Sequence, residues 1–172
     1  MVVGDHITLA DGTPAVIRPI EAGDKARLAK AFSLLSDETR NRRFLAPKPR
    51  LTPRELRYFT EVDGCDHVAL VAVHAEQPRW ILAVGRFVRD PEHPDTAEFA
   101  IVVGDAYQRR GLGRALSERL VAEARERGIR RFTAWMQSDN VAVQRLIRSI
   151  SEHLTYVPQG GGARQVIVDL AA

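Results

Sequence analysis

Two stretches of this 172-residue chain hold residues whose types and spacing suit chemistry. The first is Gln108-Arg109-Arg110-Gly111-Leu112-Gly113-Arg114, between an apolar run and a long amphipathic segment. The first amides of a helix have no intrahelical partner, and the helix dipole there favours negative charge. Gly111 and Gly113 have no Cβ, so a phosphate can approach the backbone closely. Arg109, Arg110 and Arg114 add positive charge beside it. A diphosphate or another polyanion fits such a turn. The bland alternative is an ordinary helix start whose arginines form a solvated face. The spacing matches neither a Walker loop, which needs Gly-Lys-Ser/Thr, nor a three-glycine dinucleotide fingerprint.

The second stretch is Ala97-Glu98-Phe99-Ala100-Ile101, an apolar strand interrupted by one carboxylate. Partial burial there would raise the pKa of Glu98 and make it a better general base. The competing reading is a glutamate on an exposed face, or one paired with Arg86 on the adjacent strand. Other reactive types offer less. Cys65 stands between Asp63 and Asp66 in an acidic turn that disfavours a thiolate, so it reads as structural. The five histidines (His6, His67, His74, His93, His153) lack metal-ligand spacing, and no metal is expected. Asp139 reads as a helix cap, and Trp80 and Trp135 as core or interface residues.

The elements that must position these residues follow from periodicity. Residues 13–20 read as a strand, closed by Pro19 and the turn after it. Leu28, Ala31, Phe32 and Leu35 mark an amphipathic helix, and residues 37–44 a second one. Thr52-Pro53-Arg54-Glu55 is a helix start, with Thr52 capping, Pro53 in the first turn and Glu55 reaching back. Leu51 and Leu56 stand where a hydrophobic staple would. Residues 67–74, 79–88 and 96–103 are strands separated by turns. Residues 111–127 form a helix ended by Gly128. A strand over 131–137, a helix over 138–150 and strands over 153–157 and 164–170 complete the chain. This order predicts an α/β (α+β) domain with a mixed, mostly antiparallel sheet flanked by helices on both faces. Residues 1–172 read as a single domain, with a short flexible N-terminus over about 1–12.

Composition sets the class. The chain is 45% hydrophobic and 27% charged, as a globular protein is, and long enough to bury a core without disulfides or metal. A single cysteine excludes an internal disulfide framework and points to a reducing cytoplasm. No signal peptide and no membrane-length apolar run is read from the sequence. The net charge of +3 comes from arginines interspersed with acids, without the basic stripe that nucleic acid requires.

The motif Gln108-x-x-Gly111-x-Gly113 resembles the acyl-CoA signature of the GNAT superfamily of N-acetyltransferases, and the order of elements from Ala15 to Leu170 is similar to that family's fold. The resemblance implies acetyl-CoA as co-substrate, with its pyrophosphate on the amides of residues 108–114. It implies that Ile101, Val102 and Val103 pair with the pantetheine arm, and that the strand over 131–137 splays away to admit the thioester. Asn140 matches a position that often touches the cofactor arm. A narrower likeness is to the acetyltransferase domain of bacterial protein lysine acetyltransferases, which modify enzymes such as acyl-CoA synthetases. It rests on Ile17-Arg18-Pro19-Ile20, on Leu34-Leu35-Ser36-Asp37-Glu38 with Arg43-Phe44, and on Ala97–Ile101. Those enzymes often carry a fused second domain, for which this sequence shows no segment.

An amine must lose a proton before attacking a thioester, and a lysine ammonium with a pKa of about 10.4 is almost wholly protonated at neutral pH. Glu98 matches the general-base glutamate of many lysine-modifying relatives. An amide of the Val102–Val103 region would hold the oxyanion. The sequence departs from the family in two places. Ile147 stands where many relatives have a tyrosine acid, leaving Tyr107 and Tyr156 as weak substitutes, and Ile150-Ser151 replaces a usual Gly-Phe. A thiol of pKa about 8.5 can leave as thiolate without much help. Three functions therefore stay open: a protein lysine acetyltransferase, a small-molecule amine acetyltransferase, and a non-catalytic acyl-CoA-binding regulatory domain.

Overall fold

The structure, a computed structural model, describes residues 3–170. Its eight strands are β1 (Asp5–Thr8), β2 (Pro14–Pro19), β3 (His67–His74), β4 (Ile81–Arg89), β5 (Thr96–Val103), β6 (Arg131–Gln137), β7 (Leu154–Pro158) and β8 (Ala163–Asp169). They form one sheet in the order β1-β2-β3-β4-β5-β6-β8-β7. Every neighbouring pair is antiparallel except β5 and β6, which run parallel. The helices are α1 (Lys25–Ser33), α2 (Asp37–Phe44), α3 (Pro53–Thr60), α4 (Leu112–Glu126) and α5 (Val141–Ile150).

The central strands β3 and β4 are apolar on both faces because both are covered. On one face Leu112, Leu116 and Leu120 of α4 and Ile147 of α5 meet Leu82, Phe87, Phe99 and Phe132. On the other, Leu28 of α1 meets Val16, Ala69, Val71 and Val84, with Leu56 and Phe59 of α3 packed alongside. Gly85 lets α4 lie close to β4: a Cβ there would meet Leu120 Cδ1 at 2.6 Å. Phe99 stacks on Phe132 with centroids 5.1 Å apart, and Phe87 lies 5.7 Å from Phe132. Burying one such ring is worth about 1.5–3 kcal/mol, so this trio fastens β4, β5 and β6 together at one end.

The mixed sheet with helices on both faces is the one expected. So is the start of α3, where Thr52 accepts from the Glu55 amide and Glu55 accepts from the Thr52 amide. Two details differ. Residues 5–8, within the segment expected to be flexible, form β1 on the edge of β2, although residues 1–2 lie outside the described residues. The cap of α5 is Asn140, not Asp139: Asn140 Oδ1 accepts from the Val143 amide at 3.2 Å, and the helix begins at Val141.

Candidate active site

The parallel seam between β5 and β6 opens partway along. Its ladder holds Thr96 opposite Arg131, Ala97 opposite Phe132 and Glu98 opposite Thr133, and ends there. Beyond that point β5 continues beside β4 up to Val103, and β6 continues beside β8 up to Gln137. Residues 99–103 and 134–137 therefore form the two walls of a slot whose closed end is at Glu98. The splay expected of β6 is present. Backbone groups on facing edges of an opened seam lack strand partners, and an extended amide-bearing arm can take them.

The turn Gln108–Arg114 lies at the mouth of this slot, after β5 and a 3-10 turn at Asp105–Tyr107. Gly111 caps α4 at φ 84°, and Arg109 also adopts a left-handed φ of 59°. Among the described residues, the backbone amides of Arg109, Arg110, Gly111, Leu112 and Gly113 donate to no protein acceptor. Successive free N–H groups at a helix start make an anion-binding concavity. The side chain of Leu112 is fully buried, so only its backbone can face a ligand. A Cβ on Gly113 would meet Val103 Cγ2 at 3.5 Å and Leu146 Cδ1 at 3.7 Å, which places this glycine between β5 and α5.

The three arginines are not equivalent. Arg110 pairs with Asp11 and its carbonyl accepts from the Ala10 amide at 3.1 Å, so it ties the turn to the β1–β2 loop. Arg114 pairs with Glu118 one helical turn on, at 2.7 Å. Arg109 is exposed and has no ion-pair partner among the described residues. It is the cation of the three that a polyanion can recruit without displacing a carboxylate.

Helix α2 crosses the slot and is hydrogen-bonded to both sides. On the β5 side, Asp105 accepts from the Ser36 amide at 2.9 Å, from Ser36 Oγ at 2.8 Å and from Thr39 Oγ1 at 2.7 Å. Burial alone would raise the Asp105 carboxyl, but these donors hold it below the usual carboxylate range. Gln108 Nε2 donates to the Val103 carbonyl at 3.1 Å and to Thr39 Oγ1 at 3.4 Å. On the far side, Arg42 Nη1 donates to Asn140 Oδ1 at 3.1 Å. Asn140 is buried and its oxygen is engaged by the helix amide and by Arg42, so it organises the wall by which it stands. Nothing in the spacing of Asp105, Thr39 and Arg42 announces these links, because they join segments far apart in sequence.

Glu98 lies on the face shared with Ala100, Val102 and, on β4, Arg86 and Val84. It is exposed, so the partial burial expected from its apolar neighbours is absent. The flanking apolar residues, Ala97 and Phe99, point to the opposite face and are buried there. Strand alternation explains the difference: a half-buried strand puts its polar residue on the open side. Arg86 is not its partner either. Arg86 stands opposite Ala100, and its Nη1 donates to the Phe59 carbonyl at 3.2 Å and approaches His67 Nε2 at 3.1 Å. Arg43 of α2 does feel the Glu98 charge, although burial is the larger influence on it and lowers its pKa.

Neither tyrosine replaces the expected acid in an evident way. Tyr156 is on β7, separated from β6 by β8, and its buried hydroxyl has no hydrogen-bond partner among the described residues. Tyr107 packs against Gly104 and lies under the Arg110 guanidinium. Ile147 is 1% exposed and belongs to the core. Among the described residues no cluster of His, Cys, Asp and Glu could hold a metal ion, and no helix is long and apolar enough to cross a membrane.

A parallel seam opened beside a glycine-led helix start is the acyl-CoA architecture of acetyltransferases, and comparison with known proteins agrees. The chain belongs to the GNAT acetyltransferase family: residues 30–150 match the model described as Acetyltransferase (GNAT) family. Acetyl-CoA is the co-substrate of that family, and yncA of Salmonella typhimurium, solved with its cofactor acetyl-CoA, shares this fold at 22% identity and a TM-score of 0.66, covering 92% of this chain and 96% of that one. Among individual proteins, the chain is 35% identical over 131 residues to Acetyltransferase Pat of Mycolicibacterium smegmatis, covering 76% of this chain and 39% of Pat. It is 31% identical to Acetyltransferase PA5475 of Pseudomonas aeruginosa, covering 92% of this chain and 84% of that protein. The crystal structure of the GNAT domain of S. lividans PAT superposes with a TM-score of 0.86 at 34% identity, over 96% of both chains. The chain thus spans well under half the length of the Mycolicibacterium Pat.

Proposed function

We propose that this protein is an acetyl-CoA-dependent N-acetyltransferase that modifies lysine side chains of proteins by direct attack in a ternary complex. The observation that carries the reading is the seam between β5 and β6, which ends at Glu98 and opens toward a turn of unpartnered amides. The amides of residues 109–113 take the pyrophosphate, with Arg109 supplying charge. Ile101, Val102 and Val103 offer their backbone to the pantetheine arm, and Gln108 releases the Val103 carbonyl where that arm requires it.

The acceptor amine approaches from the Glu98 face. Glu98, exposed beside the closed end of the slot, accepts the ammonium proton directly or through water, which typically contributes about 10²–10⁴-fold. The amine nitrogen then forms the new bond to the thioester carbon while a backbone amide near Val102 and Val103 steadies the oxygen. The carbon–sulfur bond breaks and the thiolate leaves; the new amide nitrogen sheds its second proton to solvent, from which the thiolate takes one. The names of the Pat relatives and the match to the PAT domain support the enzyme class; the protein acceptor is an inference from that likeness.

Purified protein incubated with acetyl-CoA and a cell lysate should yield acetyl-lysine on a small set of proteins, read by mass spectrometry. Acetylation only of an amine panel would replace the protein acceptor with a small molecule. Tight acetyl-CoA binding with no thiol release from either would make the chain a binding domain.

A further inference from the structure

On the Glu98 face of the sheet, a cavity lies beneath α1, α2 and α3. Its walls are apolar, with Leu28, Phe32, Phe59, Val84 and Val102 among them, and two arginines, Arg43 and Arg86, interrupt them. Arg86 is 6% exposed. Its guanidinium lies 4.4 Å over the Phe59 ring, and beyond the Nη1 contacts to Phe59 and His67 its Nε and Nη2 meet no acceptor among the described residues. Arg43 is half-buried, lies 4.9 Å over the Phe44 ring, and likewise donates to no acceptor there. The two cations repel each other: after burial, Arg43 is the next cause that lowers the affinity of Arg86 for its proton. Burial and Arg86 in turn hold His67 at a pKa of about 4, so the imidazole is neutral at neutral pH and supplies no counter-charge. Among the described residues the one carboxylate acting on the pair is Glu98, through Arg43, and it is exposed.

Two guanidinium groups in an apolar cavity without a paired carboxylate are poorly compensated, and arginine does not escape by deprotonating. Its planar fork matches a carboxylate. We propose that this cavity is a carboxylate subsite of the acceptor site: the acceptor brings its amine to Glu98 and a second, anionic group to Arg43 and Arg86. The inference rests on the acetyl-transfer reading and narrows its acceptor class. Ala100, opposite Arg86, is two residues along β5 from Glu98, about 7 Å away. An acidic side chain two residues from a lysine in an extended peptide spans that interval, and so does the distance from the amine to the carboxylate within a free lysine.

The test uses thiol release from acetyl-CoA with paired acceptors: a lysine peptide with Glu two residues away against its Gln twin, and free lysine against lysine amide. The proteins are the full chain, Arg43→Gln and Arg86→Met, each checked for acetyl-CoA affinity by calorimetry as a sign of intact folding. The expected result is a KM at least about tenfold lower for one anionic acceptor than for its neutral twin, with the gap closing in both variants. A gap in the peptide pair assigns an acidic protein segment, and a gap only in the lysine pair assigns a small amino acid. Equal KM values within both pairs, or a gap that survives both substitutions, overturn the subsite. If no acceptor releases thiol, the transfer reading fails by itself. The subsite is then decided by calorimetric titration of the same pairs onto CoA-loaded protein, where equal affinities reject it and the same gap supports it.

Discussion

Two arginines are buried on the same face of the sheet, Arg18 on β2 and Arg86 on β4, and their surroundings differ completely. Arg18 is 8% exposed and bonds Asp24 through both ends of its fork, at 2.8 Å and 2.9 Å, with a third bond to the Pro19 carbonyl. Asp24 is fully buried, accepts also from Arg27 at 2.9 Å and from the Glu21 amide, and has a partner for each oxygen. Arg86 has a ring, a carbonyl and a neutral imidazole, and a second arginine for a neighbour. One cluster closes on itself and holds the start of α1 to the sheet. The other leaves donors facing a cavity beside the proposed base. Buried charge that is fully partnered belongs to the architecture, whereas buried charge left short of partners marks a place where something else must bind.

The contrast can be broken in several ways, beginning with the largest effect. Glu98 acts on Arg43 of the under-partnered cluster, and Glu98→Gln should lower kcat by about 10²–10⁴-fold with acetyl-CoA affinity unchanged by calorimetry. Retention of full turnover would remove Glu98 from the chemistry. Asp24→Asn strands Arg18 in the closed cluster and should destabilise the fold by about 3–5 kcal/mol in urea titration. Arg86→Met, in the open cluster, should cost far less, because the partners it leaves, the Phe59 carbonyl and the neutral His67, carry no charge. A loss at Arg86 equal to that at Asp24 would erase the distinction.

Acid titration separates the clusters more finely. Burial works to raise Asp24, but Arg18, the Glu21 amide and Arg27 outweigh it and bring its pKa to about 2. Its stabilisation is therefore complete above about pH 4 and lost as the pH falls toward 2. His67 is lowered to about 4 by burial and by Arg86. Because the unfolded imidazole takes a proton near pH 6.5, folding stability should already decline as the pH drops from about 6.5 toward 4. Substituting His67→Gln should flatten that upper step and leave the lower one, as measured by urea midpoints across the range. A single step at the bottom of the range in the parent protein would contradict the assignment of His67.

Much of this was legible in the sequence, and the reasons are local. The helix starts at Gly111 and Thr52 are written in residues within one turn of each other, and the alternation of β5 and β6 in residues two apart. The splay of β6 is legible only through family resemblance, and its closed end at Glu98 not at all, since no local pattern says where a parallel seam stops pairing. Glu98 stands out in the sequence as a residue, but its setting does not, because its apolar neighbours serve the far face. The Arg43–Arg86 pair and the bridge of α2 from Asp105 to Asn140 were out of reach. Arg43 and Arg86 are separated by α3 and β3 in sequence, and only the folded sheet brings them into one cavity.

The central claim is that the opened seam and the amides of the Gly111 turn form the CoA site. Backbone amide NMR during titration with CoA tests it most directly. The account predicts that the largest shifts fall on Arg109 through Gly113 and along residues 99–103, with little change around Arg18 and Asp24. Saturable binding that leaves those amides unmoved, or shifts confined to another face, would contradict it.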